Sequence, residues 1–174
     1  AVFLGEDRPP LRIVVPEEGL TLSILVENCG RLSTSHGIHW ARKGIREGVR
    51  LGGMRLYGWT MWPLPLSDLS GLRFAPESGP CGDAPAFYRG RFDAKPGLDT
   101  FLRTPGWHKG LAWVNGFLLG RYWDIGPQET LYVPGGLLKA RDNELILFEN
   151  HAPAPSLRAE CIDHALLDGP IQPY

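Results

Sequence analysis

Two short stretches set an indole ring beside groups that bind hydroxyls. In Gly106-Trp107-His108-Lys109-Gly110 a ring and two potential cations are bracketed by glycine. In Arg121-Tyr122-Trp123-Asp124 a second Trp lies between a guanidinium and a carboxylate. A ring face can stack on the C–H face of a pyranose while polar side chains at its rim fix the hydroxyls, the usual combination of apolar wall and convergent polar groups. Trp107, His108, Lys109, Arg121, Trp123 and Asp124 are therefore the candidate carbohydrate-binding residues. Each also has a plainer use. A Trp in a Gly-bracketed loop is more commonly a core or interface ring, and Arg121 can pair with Asp124 or stack on Trp123 with no ligand present. Between the two stretches, Asn115-Gly116 reads first as a hairpin turn, because both residues accept φ > 0. A sugar-ligand role for Asn115 is the lesser alternative.

Catalysis has less to work with. Glu17, Glu18, Asp93, Asp99, Asp124, Glu129, Asp142 and Glu149 are scattered carboxylates. A glycosidase needs two of them facing each other across a sugar, roughly 5–9.5 Å apart, and no motif here demands that geometry. Glu17 and Glu18 follow Pro16 in a loop-like segment. Glu27 and Glu149 each end a strand-like run just before Asn, which reads as framework. His36 and His39 stand three apart with Cys29 upstream and no matching second pair, short of a zinc-ligand pattern. No Gly-x-Ser-x-Gly, phosphate-cradling loop or dinucleotide fingerprint occurs. Neither a metal nor a cofactor is expected.

Net charge is −1, with 43% hydrophobic and 21% charged residues. That is ordinary for a soluble globular protein and lacks the basic footprint of a nucleic-acid binder. No apolar run approaches the roughly 18 residues of a membrane span. Cys29, Cys81 and Cys161 cannot all pair within the chain, and no Asn-x-Ser/Thr sequon occurs, so a reducing, cytoplasmic compartment is the expectation. The opening Ala-Val-Phe-Leu shows neither Met nor a signal peptide, and reads as a segment cut from a longer polypeptide.

The elements that must position these residues are short strands. Gly (22) and Pro (16) punctuate brief apolar runs instead of forming a low-complexity tract. Val2–Leu4 and Leu11–Val15 are strand-like. Leu20, Leu22, Ile24 and Val26 alternate with Thr21 and Ser23, the period-2 pattern of a half-buried strand. Val49–Leu51 and Met54–Leu56 flank Gly52-Gly53 as a hairpin. Tyr57–Leu66 is aromatic and Pro-interrupted, an edge strand or extended segment at best. Six further strands are predicted at Ala86–Tyr88, Thr100–Leu102, Leu111–Val114, Phe117–Leu119, Thr130–Val133 and Glu144–Phe148. The helical candidates are Ser67–Leu72 and Gly135–Lys139, the latter a single turn after Pro134.

A weak internal repeat suggests two units. Gly5, Val15-Pro16 and Glu27-Asn28 recur in order as Gly120, Val133-Pro134 and Glu149-Asn150. The division read from composition is a first unit over 1–66, a Gly/Pro/Ser-rich linker over 67–84, and a second unit over 85–174. The expected inter-sheet core is Trp113, Val114, Leu119, Leu131, Val133, Leu145, Leu147 and Phe148.

The order of motifs resembles glycoside hydrolase family 35 β-galactosidases. The similarity runs from Ile24–Asn28 with Gly30-Arg31, through Arg42–Ile45, Gly58-Trp59 and Trp62–Leu64, to Pro85–Gly90, Asp99–Phe101 and Gly106–Pro134 (GWHKGLAWVNGFLLGRYWDIGPQETLYVP). Cys29 stands where the family often has Met, and Leu118 where Asn is frequent. The resemblance implies an all-β fold: an antiparallel jelly-roll sandwich of galactose-binding-like type over the second unit, preceded by the C-terminal half of another sandwich. It also implies that the catalytic carboxylates lie on a (β/α)8 barrel outside this sequence. The chain is then a non-catalytic accessory domain of an enzyme that hydrolyses terminal non-reducing β-D-galactose with retention, and the barrel of the same polypeptide is its partner. The alternative is a module that binds galactosides. A stand-alone hydrolase is a third reading. The missing part of the first sandwich predicts exposed apolar surface around Trp40, Trp59 and Trp62, and self-association.

Overall fold

The computed structural model describes residues 12–28, 39, 43–75, 84–151 and 158–170. The chain divides into two compact units, Asp7–Leu64 and one that holds Pro65–Tyr174.

In the smaller unit, β1 (Arg50–Leu51) and β2 (Met54–Arg55) pair antiparallel around Gly52-Gly53. Both glycines have positive φ, 56° and 87°, as the Gly-Gly hairpin signal requires. The Leu56 N–H extends the ladder to the Val49 carbonyl at 2.9 Å. The strand expected at Leu20–Val26 is not formed. Alternation tells which face of a strand would be buried, but a strand also needs a neighbour to bond, and none pairs with it among the described residues. Residues 12–15 are likewise outside any strand. Val2–Leu4, Leu11, Gly5, Cys29, His36, Trp40 and Cys81 lie outside the described residues. Of the residues of the internal repeat, Glu149 is fully buried and ends a strand, whereas Glu27 is half-exposed and lies outside any strand.

The larger unit is a β-sandwich. β3 (Ala86–Phe92), β5 (Lys109–Val114), β6 (Phe117–Trp123) and β8 (Asn143–Glu149) form one sheet in the order β3-β8-β5-β6. β4 (Thr100–Arg103), β7 (Thr130–Val133) and β9 (Glu160–Ile162) form the other in the order β7-β4-β9. Every pairing is antiparallel, and the chain changes sheet at all but one of its connections, the jelly-roll habit. The six predicted strands are all present. β9 escapes sequence reading because Glu-Cys-Ile is too short to show a period. Gly135–Leu137 is a 3-10 turn. Ser67–Leu72 is not a helix: Asp68 Oδ1 accepts from the Ser70 N–H at 2.9 Å, and the Leu72 N–H closes a turn onto the Leu69 carbonyl at 3.0 Å.

Leu102, Leu131 and Val133 of the smaller sheet pack against Ala112, Val114, Tyr122, Leu145 and Leu147 of the larger, with Trp107 and Leu138 in the same cluster and Leu119 partly buried beside it. Trp113 is 2% exposed but lies outside that cluster. It follows Ala112 and precedes Val114, so the two-residue period turns it to the opposite face. There it stands across from Ile146, near Phe87 at 6.3 Å between ring centroids. Phe148, next to Leu147, is turned the same way and stacks on Phe87 at 4.7 Å. The expected single core is therefore two apolar layers, one on each face of β5 and β8.

Two local features fix this arrangement. At Gly110 a Cβ would come within 1.6 Å of the Phe148 carbonyl oxygen and 2.6 Å of Tyr122 Oη, so β8 and the Tyr122 phenol occupy the space a side chain would need. At the β5–β6 turn Asn115 and Gly116 both have positive φ (50° and 82°). Asn115 Nδ2 donates to the Leu137 carbonyl at 2.7 Å and to Asn143 Oδ1 at 2.9 Å, while its Oδ1 accepts from the Glu144 N–H at 2.9 Å. The turn is thereby riveted to the start of β8, and Asn115 serves structure.

Candidate functional site

The end of β8 meets the start of β5 at a buried acid. Glu149, 0% exposed, accepts from the backbone N–H groups of His108 (2.9 Å), Lys109 (3.1 Å) and His151 (2.9 Å). Tyr122 Oη, 3.3 Å from the same carboxylate, donates to the Phe148 carbonyl at 2.9 Å. Burial, with the Glu149 charge beside it, raises the Tyr122 pKa far above that of an ordinary phenol, so Tyr122 remains a neutral donor. A carboxylate tied to three amides and walled from solvent orients the chain around it.

What this anchor positions is a cleft. Its walls are the 104–107 connection, the 124–129 connection and Pro170, and it encloses about 220 Å³. The C-terminal segment is laced to the second wall: the Gly169 N–H donates to the Pro127 carbonyl, the Glu129 N–H to the Leu166 carbonyl, both at 2.9 Å, and the Leu166 N–H to Thr130 Oγ1 at 3.0 Å. The polar lining is internally paired. Arg103 bridges Glu129 at 3.2 Å and Glu160 at 3.4 Å. Asp124 Oδ2 is 2.7 Å from His108 Nδ1. Gln128 Nε2 donates to the Thr130 carbonyl at 2.8 Å.

The six residues proposed from sequence do not converge as a set. Trp107, Trp123 and Asp124 line the cleft. His108 reaches it through Asp124 and Lys109 through Trp123, where its ammonium lies 3.9 Å from the ring centroid. Trp107 is 5% exposed, meets Tyr88 edge-on at 5.0 Å, and donates its Nε1–H to the Arg158 carbonyl at 2.8 Å. It is a core ring whose border touches the cleft, and it presents no stacking platform. Lys109 is 4% exposed and already occupied by Trp123. Arg121 stands opposite Leu111. Adjacent to Tyr122, it is turned to the other face of the strand by the strand period. Asp124 pairs with His108, and Trp123 carries Lys109.

Arg103 and Gln128 are cleft residues that sequence reading passed over, and Glu129 is one that it counted only among the scattered carboxylates. Their assembly depends on the Arg103↔Thr130 register between β4 and β7. The local pattern shows only a strand end and a Gly126-Pro127-Gln128 turn feeding the next strand. Among the described residues no three His, Cys, Asp or Glu side chains are placed to hold a metal ion, and no helix is long and apolar enough to cross a membrane.

Fold and cleft together define an antiparallel β-sandwich domain with a small, polar-lined cleft. Residues 85–143 match the family model of the beta-galactosidase galactose-binding domain, and residues 6–65 that of the beta-galactosidase first all-beta domain. The chain belongs to the β-galactosidase family, as its β-rich accessory region. It is 41% identical over 155 residues to mouse Beta-galactosidase-1-like protein 3, a match that covers 84% of this chain and 23% of the relative. It is 37% identical over 163 residues to Arabidopsis thaliana Beta-galactosidase 17, covering 83% and 23%. It is 33% identical over 180 residues to the Bos taurus Beta-galactosidase, covering 91% and 27%. The chain thus spans about a quarter of the length of these relatives.

Proposed function

We propose that this region takes no part in the chemical step of the β-galactosidase to which it belongs. Hydrolysis of terminal β-D-galactose would be carried out by the catalytic barrel of the same polypeptide, which this region would support. The observation that carries this reading is the state of the cleft carboxylates. Asp124 is paired with His108 and Glu129 with Arg103. A retaining glycosidase needs two carboxylates facing each other across the sugar, one as acid and one as nucleophile, whereas here each is turned to a protein partner. The signature residues Trp107, Trp113, Asn115 and Tyr122 are spent on core and turn. The purified chain should show no turnover of an aryl β-galactoside. Turnover abolished by Asp124→Asn or Glu129→Gln would overturn the proposal. A second reading, a galactoside-binding module, is favoured by the cleft beside Trp123.

A further inference from the structure

We infer that residues 163–170 form a latch on the cleft: a segment that closes against the 124–129 connection and opens as a unit of its own while the sandwich stays folded. The chain just before it is firmly anchored. β9 pairs with β4, Thr100 Oγ1 donates to the Ile162 carbonyl at 2.8 Å, the Trp107 indole reaches the Arg158 carbonyl, and Glu160 is bridged by Arg103 and Arg158. Past Ile162 that anchorage stops. Asp163, His164 and Ala165 are exposed, and His164 Nδ1 lies 2.7 Å from Asp163 Oδ1, a pairing within the segment itself. These three residues are the hinge.

The moving end closes through its own backbone. The Leu166 carbonyl accepts from the Glu129 N–H at 2.9 Å, the Leu166 N–H donates to Thr130 Oγ1 at 3.0 Å, and the Gly169 N–H donates to the Pro127 carbonyl at 2.9 Å. The seat is cut to fit it. A Cβ at Gly169 would come within 2.5 Å of Glu129 Oε1 and 3.0 Å of the Pro127 carbonyl oxygen, and a Cβ at Gly126 within 2.6 Å of the Pro170 carbonyl oxygen. Glycine on both sides of the seam lets the two backbones approach. The segment brings no burial with it. Every residue of 163–170 is exposed or half-exposed, Leu167 at 59%, and none joins the core cluster. A backbone hydrogen bond contributes little beyond what water offers in its place. A segment held by a few such bonds, with no buried apolar side chain, belongs to the low-stability end of local unfolding. Close fit and weak hold together make a latch. Gly126, Gln128, Glu129 and Pro170 all line the cleft, so opening removes part of the lining and unseats the connection that carries the rest. Whatever enters the cleft then binds with an affinity scaled by the population of the form that admits it.

The test is amide hydrogen exchange of the 174-residue chain, read residue by residue by NMR. The Glu129 and Gly169 amides donate across the seam from opposite sides and should show the same protection. That protection should be at least about 100-fold lower than that of the β5 and β8 amides at the centre of the larger sheet. Low urea should speed exchange of the β5 and β8 amides and leave the other two nearly unchanged, because opening the latch exposes little surface. Gly169→Ala should strip protection from Glu129 and from residue 169, while β5 and β8 stay protected and the core resonances keep their positions. In that variant a neutral gadolinium chelate should relax the Trp123 ring protons more strongly than in the unaltered chain. Protection of Glu129 and Gly169 equal to that of β5 and β8, or unequal between the two, would overturn the inference, and both comparisons use the unaltered chain. So would a Gly169→Ala chain that keeps their protection, that unfolds altogether, or in which Trp123 is reached no more easily.

Discussion

Glu149 shows how a carboxylate's use is set by what the fold brings to it. In sequence it ends an apolar run before Asn150, and framework was the natural reading; what could not be read is that the amides of residues 108, 109 and 151 all point at it. Glu149→Ala leaves three N–H groups, that of Lys109 buried and those of His108 and His151 partly so, facing an apolar methyl. Each unsatisfied buried donor costs about 1–3 kcal/mol, so a loss on the order of 3–5 kcal/mol is expected in a urea unfolding curve. A loss under about 1 kcal/mol would show that water replaces the carboxylate freely. His151, beside the same acid, has a second consequence. Its pKa is lowered from the ordinary 6.5, first by burial, with His108 and Lys109 adding to the effect and Glu149 and Asp124 opposing it. With the folded pKa below the unfolded one, the neutral imidazole is the form the fold prefers. Its contribution is complete above about pH 6.5 and is lost as pH falls from there toward the folded value. The melting temperature should therefore drop across that window, and His151→Gln should flatten the drop. An unchanged profile in the variant would assign the acid sensitivity elsewhere.

At the scale of elements, the β5–β6 hairpin was legible because its signal is local. Asn-Gly dictates the turn, and short apolar runs on either side dictate the strands. Asn115→Ala should lose about 2–3 kcal/mol, since it removes the side-chain bonds to Leu137, Asn143 and Glu144 and leaves a non-glycine residue without its polar support at φ 50°. Thermal unfolding measures it, and a loss no larger than that of an ordinary turn substitution would mean the rivet to β8 is incidental. The same reasoning explains what could not be read. Trp113 and Phe148 were expected in the inter-sheet core because they are large and apolar, but the period of the strand, not the size of the ring, chooses the face. Leu20–Val26 has the right period and no ladder, because pairing is decided by another segment. Arg103 and Glu129 meet across the β4–β7 register, so their pairing in the cleft was invisible until that register was known, whereas Trp123 and Asp124 were found by residue type alone.

At the scale of the whole chain, the contrast between the two units is one of burial. The larger has a closed core, while every described residue of Asp7–Leu64 is exposed or half-exposed. Its Tyr57–Leu64 stretch presents Met61 at 88% and Trp62 at 80% exposure, with Tyr57 and Leu64 also open and Trp59 in part. Trp59 and Trp62 are therefore exposed as the sequence led one to expect, and Trp40 lies outside the described residues. Trp62 and Met61 are the adaptable, area-rich side chains that dominate binding surfaces, and a contiguous apolar patch of this kind on an isolated chain drives association. The relatives are about four times the length of this chain, so in a full-length protein other segments are available to cover the patch. In the isolated chain the available cover is a second copy. Sedimentation velocity should show a monomer–oligomer equilibrium that shifts with concentration. Met61→Gln combined with Trp62→Gln should move it toward monomer without changing the melting temperature of the sandwich, because neither residue belongs to that core. A chain that sediments as a monomer at high concentration, or a double variant that associates as before, would mean that Tyr57–Leu64 is not the surface that sticks.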